Sequence, residues 1–158
     1  MEPDLGTVDM ISHDAYAPWV PLLGQPPLPM TEDYAPRIAH GEVWIIEHDG
    51  RIAGVMVLER ADDHLLIWSL AVSPAHQGHG VGRWMLDAAE EMARRKAVPE
   101  LRLFTNDRMV SNIELYRRAG FRETGRRPNP YRAGWILVDM AKPVSEAIEP
   151  AAPCETQV

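Results

Sequence analysis

The chain is expected to fold as a mixed α/β domain: a central mixed sheet of six to seven strands flanked by about four helices. Three observations carry that expectation. Apolar runs of strand length, at residues 42–47, 51–60 and 64–72, are separated only by short turn sequences. Residues 81–96 instead repeat apolar side chains at helical spacing, through Val81, Met85, Ala88, Ala89 and Met92. The three central strands follow one another directly, so the regular strand–helix alternation of a doubly wound parallel sheet is absent.

Taken in order, residues 7–11 read as a short first strand, and a helical region runs from Ser12 or His13 to about Leu23. Gly24-Gln25-Pro26-Pro27-Leu28-Pro29 must be a loop, because its prolines block both helix and ladder. Thr31-Glu32-Asp33 caps a second helix that Gly41 closes. Asp49-Gly50 supplies a hairpin turn between residues 42–47 and 51–60, and Asp62-Asp63 a second turn before residues 64–72. That last strand is apolar at nearly every position, the pattern of a central strand covered on both faces. After the 81–96 helix, residues 101–105 read as a strand. A short helix then starts at Asp107 or at Ser111, whose spacing to Glu114 matches a capping box, and stops at Ala119-Gly120. Residues 121–125 and 135–140 read as the last two strands. The domain is expected to span residues 1–142, and the Pro-, Ala- and Glu-rich segment 143–158 to be a tail.

Composition narrows the class. With 158 residues, 46% hydrophobic and 25% charged, the chain is one domain with a core of ordinary size. The apolar stretch 65–72 is far too short to cross a bilayer, so no membrane partner is expected. The first residues lack the basic and apolar stretches of a secretory signal. A single cysteine excludes an internal disulfide and a cysteine zinc site. These features lead to a cytoplasmic expectation. A net charge of −7 argues against a nucleic-acid partner. His76 and His79 lack further ligands at suitable spacing and read as surface histidines, so no metal is expected.

The stretch from Leu70-Ala71-Val72 to Gln77-Gly78-His79-Gly80-Val81-Gly82-Arg83 carries the chemistry. A strand ends, glycines follow at alternate positions, and a helix begins. That presents bare backbone N–H groups at a helix N-terminus, which suits a pyrophosphate. The chain has no Gly-Lys pair for a P-loop, and Arg83 stands where a dinucleotide fingerprint needs its third glycine. The spacing Gln77-x-x-Gly80-x-Gly82 resembles the signature of the GNAT acetyltransferase superfamily. The stretch Thr105-Asn106 through Asn112-Ile113-Glu114-Leu115-Tyr116 to Gly120-Phe121 is similar to that superfamily's second motif. Met109 stands where many members carry an asparagine.

The resemblance covers residues 7–143 and implies the GNAT fold, with acetyl-coenzyme A as co-substrate and transfer of its acetyl group to an amine, on a small molecule or a protein. It implies that Gln77, Gly78, His79, Gly80, Val81, Gly82 and Arg83 hold the pyrophosphate. Leu70, Ala71 and Val72 would align the thioester, Asn112 would hold the pantetheine arm, and Tyr116 would serve as general acid. Such domains often pair, so a homodimer is expected. The base is open: the strand positions that hold a base in some members are Leu66 and Trp68 here, leaving Glu59, His64, Asp107 or a water relay. Trp68 reads as a wall of the acceptor pocket, alongside segments 16–30, 59–68 and 129–135. The competing reading is a non-catalytic acyl-coenzyme A sensor, which needs the glycine turn but no acid or base.

Overall fold

A computed structural model describes residues 4–144. Its six strands are β1 (Val43–His48), β2 (Arg51–Arg60), β3 (Leu65–Val72), β4 (Glu100–Asn106), β5 (Arg122–Pro128) and β6 (Ile136–Pro143), and they form one sheet in the order β1-β2-β3-β4-β6-β5. Every neighbouring pair is antiparallel except β3–β4. The helices are α1 (Leu5–Tyr16), the single turn α2 (Val20–Leu23), α3 (Tyr34–Ala39), α4 (Val81–Arg95) and α5 (Val110–Arg118). The mixed sheet with flanking helices is the architecture expected from sequence.

The expected strand at residues 7–11 is instead the first half of α1. Asp4 caps it by accepting from the Thr7 backbone N–H at 3.0 Å and the Thr7 hydroxyl at 2.9 Å. Val8, Ile11 and Ser12 are its buried positions, a helical and not an alternating period. The capping box expected at Ser111 is also absent. Helix α5 starts at Val110, with Ser111 inside its first turn, because Asn106 takes over the turn: its carbonyl accepts from Met109 N–H at 3.0 Å and its side-chain oxygen from Arg108 N–H at 2.9 Å. The expected boundary at residue 142 falls short. Pro143 pairs with Glu100 at the end of β6, and Val144 N–H donates to Pro99 at 2.8 Å. Residues 145–158, with the rest of the expected tail, lie outside the described residues.

Both faces of the sheet are covered, as the nearly continuous apolar run of β3 requires. On one face α4 and α5 bury Met85, Leu86, Ala89 and Ile113 against Met56, Ile67, Leu101 and Val138. Met85 and Leu86 are almost wholly buried, and each contributes about 1.5–3 kcal/mol of transfer free energy. Gly54 on β2 makes room for this packing: a Cβ there would stand 2.8 Å from Met85 Sδ. On the other face α1 and α3 bury Val8, Ile11 and Tyr34 against Val43, Val55, Val57 and Ala71. The β1–β2 hairpin closes on Asp49-Gly50, both at positive φ (51° and 73°), as the Asp-Gly pair predicts.

Candidate active site

The site is a split in the sheet. The parallel strands β3 and β4 pair only at Leu65–Leu101, Leu66–Arg102 and Ile67–Leu103. Just beyond, the β2–β3 register slips between Val57 and Leu58, which oppose Ser69 and Ile67, so Trp68 is the extra residue of a β-bulge. Trp68 and Ser69 therefore both face the α1/α3 side, where Trp68 meets Tyr34 edge-on at 6.4 Å and Ser69 Oγ lies 3.1 Å from the Tyr16 hydroxyl. The bulge turns β3 away, while β4 stays paired with β6 out to Asn106–Leu137. The edge of β3 that faces the split has backbone donors with no strand partner. Leu70 N–H reaches only the Tyr16 hydroxyl, at 3.4 Å, and since Ser73 N–H turns toward β2 to donate to Ala53, alternation puts Val72 N–H on the split side.

Behind the split lies a cleft formed by the glycine turn, β3 and α5. Gln77 ties the turn to the strand end, its side-chain amide donating to the Val72 carbonyl at 3.2 Å. Gly78 and Gly80 sit at φ +80° and +78°, with nothing within 4 Å of where a Cβ would stand. These glycines thus supply backbone direction and leave a cradle open above it. Gly82 serves close approach: a Cβ there would lie 3.3 Å from Leu115 Cδ2, 3.8 Å from Val72 and 3.9 Å from Leu70. Helix α4 has no side-chain cap, so its first-turn N–H groups point into the cleft with no partner among the described residues. This donor set fits a pyrophosphate.

In front of the split lies a second cavity, walled by Leu28, Trp68, Phe104, Met109 and Trp135, with Ser69, Thr105, Asn106 and Asn129 as polar groups and no charged side chain. Tyr16, Leu70, Asn112 and Tyr116 line both the cleft and this cavity, so they stand at the junction. Tyr116 is 8% exposed and packs edge-on against Phe121 at 6.2 Å. Burial pushes its phenol pKa well above the ordinary value, and the neighbouring Tyr16 adds to the shift. Its hydroxyl has no hydrogen-bond partner among the described residues. Burial also raises the Tyr16 pKa, against the opposing effect of its bonds to Ser69 and Leu70.

Most residues expected at the site meet there. Leu70, Val72, Gln77, Gly78, Gly80, Val81, Gly82, Arg83, Asn112 and Tyr116 line the cleft, and Trp68 lines the cavity. Ala71 and His79 do not: Ala71 is buried in the α1/α3 core, and His79 is exposed outside the cleft. The guanidinium of Arg83, expected at the phosphates, is held at the cleft rim by Asp87 at 3.4 Å and the Arg118 carbonyl at 3.1 Å. Glu59 is not brought to the cavity. It pairs at 2.7 Å with Arg37, which also binds Glu32 and Glu42 and lies 3.9 Å over the Trp68 ring. His64 is engaged by Asp63 at 2.7 Å, and Asp107 lines neither space. Tyr16 enters the sequence expectation only as the first residue of segment 16–30, and neither Asn106 nor Arg37 is expected there as a site residue. Only Asn106 carried a local signal, as a turn-forming residue two before Arg108 at a strand end.

The fold and the site together define a mixed α/β domain whose sheet is opened by a bulge beside a glycine-cradled helix N-terminus. The chain belongs to the acetyltransferase (GNAT) family, whose family model matches residues 8–121. It is similar to rat N-acetyltransferase family 8 member 2, with 28% identity over 93 residues that cover 55% of this chain and 41% of that protein. Among solved structures, the ribosomal-protein-S18-alanine N-acetyltransferase from Escherichia coli shares the fold at a TM-score of 0.70 and 24% identity, over 92% of this chain and 91% of that one. A GNAT family acetyltransferase from Elizabethkingia anophelis, solved with acetyl-CoA bound, does so at a TM-score of 0.61 and 20% identity, over 72% and 86%. The chain spans less than half the length of the curated relatives it matches.

Proposed function

We propose that the chain transfers an acetyl group from acetyl-coenzyme A to the nitrogen of an amine by direct attack. The observation that carries this reading is the junction. Tyr116 and the open N–H edge of β3 face a phosphate-suited cleft on one side and an uncharged cavity on the other. Acetyl-CoA is present in the Elizabethkingia relative, and it supplies an activated thioester carbonyl.

In this reading Gln77 shapes the turn, and the backbone N–H groups of Val81, Gly82 and Arg83 hold the pyrophosphate. Asn112 lies along the arm. The Leu70 N–H exchanges its long bond to the Tyr16 hydroxyl for one to the carbonyl oxygen as charge develops there. The amine lone pair forms the new C–N bond, and the C–S bond breaks. Tyr116 donates a hydrogen bond to the departing sulfur. Burial raises its pKa, which favours the protonated, donating form of this phenol. A free thiol has a pKa of about 8.5, so the hydrogen bond stabilises the thiolate as it leaves, and the proton that the amine nitrogen loses goes to that sulfur, giving amide and free thiol.

The amine must arrive neutral, yet an alkylamine has a pKa of about 10.4. Among the described residues no carboxylate or imidazole lines the cavity, and Glu59 is committed to Arg37. The apolar wall of Trp68, Phe104 and Trp135 does part of a base's work, because desolvation disfavours the ammonium form. The same lack of a base favours a second reading, a non-catalytic acyl-coenzyme A sensor.

A thiol-release assay with acetyl-CoA across an amine panel, run beside thermal denaturation, tests both. Turnover on an apolar amine is the expected result. Stabilisation by acetyl-CoA without turnover on any amine supports the sensor, and no stabilisation contradicts both.

A further inference from the structure

Besides the Tyr116 hydroxyl, the front cavity has a fully buried side-chain donor without an acceptor among the described residues. Asn106 ends β4, is 5% exposed and is one of the residues that line the cavity. Its Oδ1 accepts from Arg108 N–H at 2.9 Å. A backbone N–H can only donate, so this bond fixes which end of the amide is oxygen and leaves the other end as NH2. That Nδ2 is buried and has no acceptor among the described residues. Two neighbouring polar groups in this wall are engaged: Ser69 with Tyr16 at 3.1 Å, and the Thr105 hydroxyl with Met109 Sδ at 3.9 Å. A buried donor without a partner is costly, and a ligand oxygen that answers it recovers the loss.

We infer that Asn106 is a specificity-determining residue, and that its side-chain amide donates to a neutral carbonyl oxygen carried by the acceptor amine. This rests on the acetyl-transfer reading. The oxygen belongs to an amide, ester or ketone and not to a carboxylate, because no cation among the described residues lines the cavity to accompany a buried anion. The rest of the acceptor is apolar, matched to Leu28, Trp68, Phe104 and Trp135. An apolar α-amino amide meets both requirements. The same group occurs in small amino amides and at the N-terminus of a peptide.

The test compares phenylalaninamide, phenylalanine, phenethylamine and a phenylalanyl dipeptide amide in the thiol-release assay, with wild type and with Asn106→Asp and Asn106→Leu. Asn106→Asp keeps the oxygen that Arg108 requires, so the turn survives, and it replaces the free donor with an acceptor. Wild type is expected to prefer phenylalaninamide over both phenethylamine and phenylalanine by on the order of 10-fold in kcat/KM, mainly through KM. In both variants that preference falls toward one, while calorimetric affinity for acetyl-CoA is unchanged, which separates the effect from misfolding. Use of the dipeptide amide as well as phenylalaninamide assigns the site to peptide N-termini, and use of phenylalaninamide alone assigns it to small amides. Turnover with no preference in wild type, or the same preference in Asn106→Asp, overturns the Asn106 assignment alone. Acetyl-CoA binding with turnover on none of the four overturns the inference together with the reading it rests on.

Discussion

Tyr16 reaches from the end of α1 to place its hydroxyl 3.4 Å from the backbone nitrogen of Leu70, at the point where β3 has parted from β4. The same oxygen lies 3.1 Å from Ser69 Oγ and 3.3 Å from the Leu70 carbonyl. One side chain thus satisfies polar atoms that the bulge at Trp68 leaves without a strand partner. Those atoms would otherwise be unpaired within the structure, since Ser69 is 4% exposed. The opening of the sheet and the docking of α1 are therefore coupled.

Tyr16→Phe is expected to destabilise the protein by about 1 kcal/mol, the cost of unpairing a buried hydroxyl. For a chain of this length that corresponds to a melting temperature about 3 °C lower. Thermal denaturation measures it, and an unchanged midpoint would show that the hydroxyl does not hold the bulge.

The glycines of the turn act differently, and substitution separates them. Alanine at Gly80 must adopt φ near +78°, at a cost of roughly 1–2 kcal/mol, and it intrudes on the open cradle. Gly80→Ala should therefore lower stability and weaken acetyl-CoA binding together. At Gly82 the obstacle is a Leu115 methyl at 3.3 Å, the far end of a flexible side chain, so Gly82→Ala should cost less stability. Calorimetric titration and urea denaturation of both variants check the order.

Arg37 holds three carboxylates and caps the Trp68 ring. Arg37→Met removes the cation and leaves Glu32, Glu42 and Glu59 facing one another. The expected result is a KM for the amine raised several-fold, because Trp68 loses its clamp, with acetyl-CoA affinity unchanged. Added salt should recover part of the lost stability by screening the carboxylates. Kinetics and denaturation at two ionic strengths test this, and an unchanged KM would uncouple the ion cluster from the cavity.

The buried tyrosines set an alkaline limit. Burial raises the pKa of Tyr16, Tyr34 and Tyr116 above the ordinary value of 10.0. Above about pH 10 the unfolded chain loses these protons while the folded chain keeps them, so stability falls as pH rises. The slope reaches at most about 1.4 kcal/mol per pH unit for each tyrosine. Urea denaturation should be level with respect to these groups from pH 7 to 9 and weaken from pH 10 upward. Stability that holds through pH 11 would contradict the burial.

Local signals made the frame readable. Asp49-Gly50, Asp33 and the stripe on α4 each name their element from residue type and spacing alone, and the glycine turn with Tyr116 names the cleft. Thr7 to Ile11 misled because β-branched residues fit either state, and what decides is Asp4, which lies just before them. The acceptor side was less legible. A bulge at Trp68, the capture of Glu59 by Arg37 and the unanswered amide of Asn106 are tertiary facts that no spacing encodes. Tyr16 meets Leu70 across 54 residues.

Tyr116→Phe tests the central claim most directly, with acetyl-CoA affinity and amine acetylation measured on the same preparation. The expected result is an unchanged dissociation constant and a kcat lower by on the order of 100-fold, the usual scale for loss of a positioned proton donor. An unchanged kcat would contradict it.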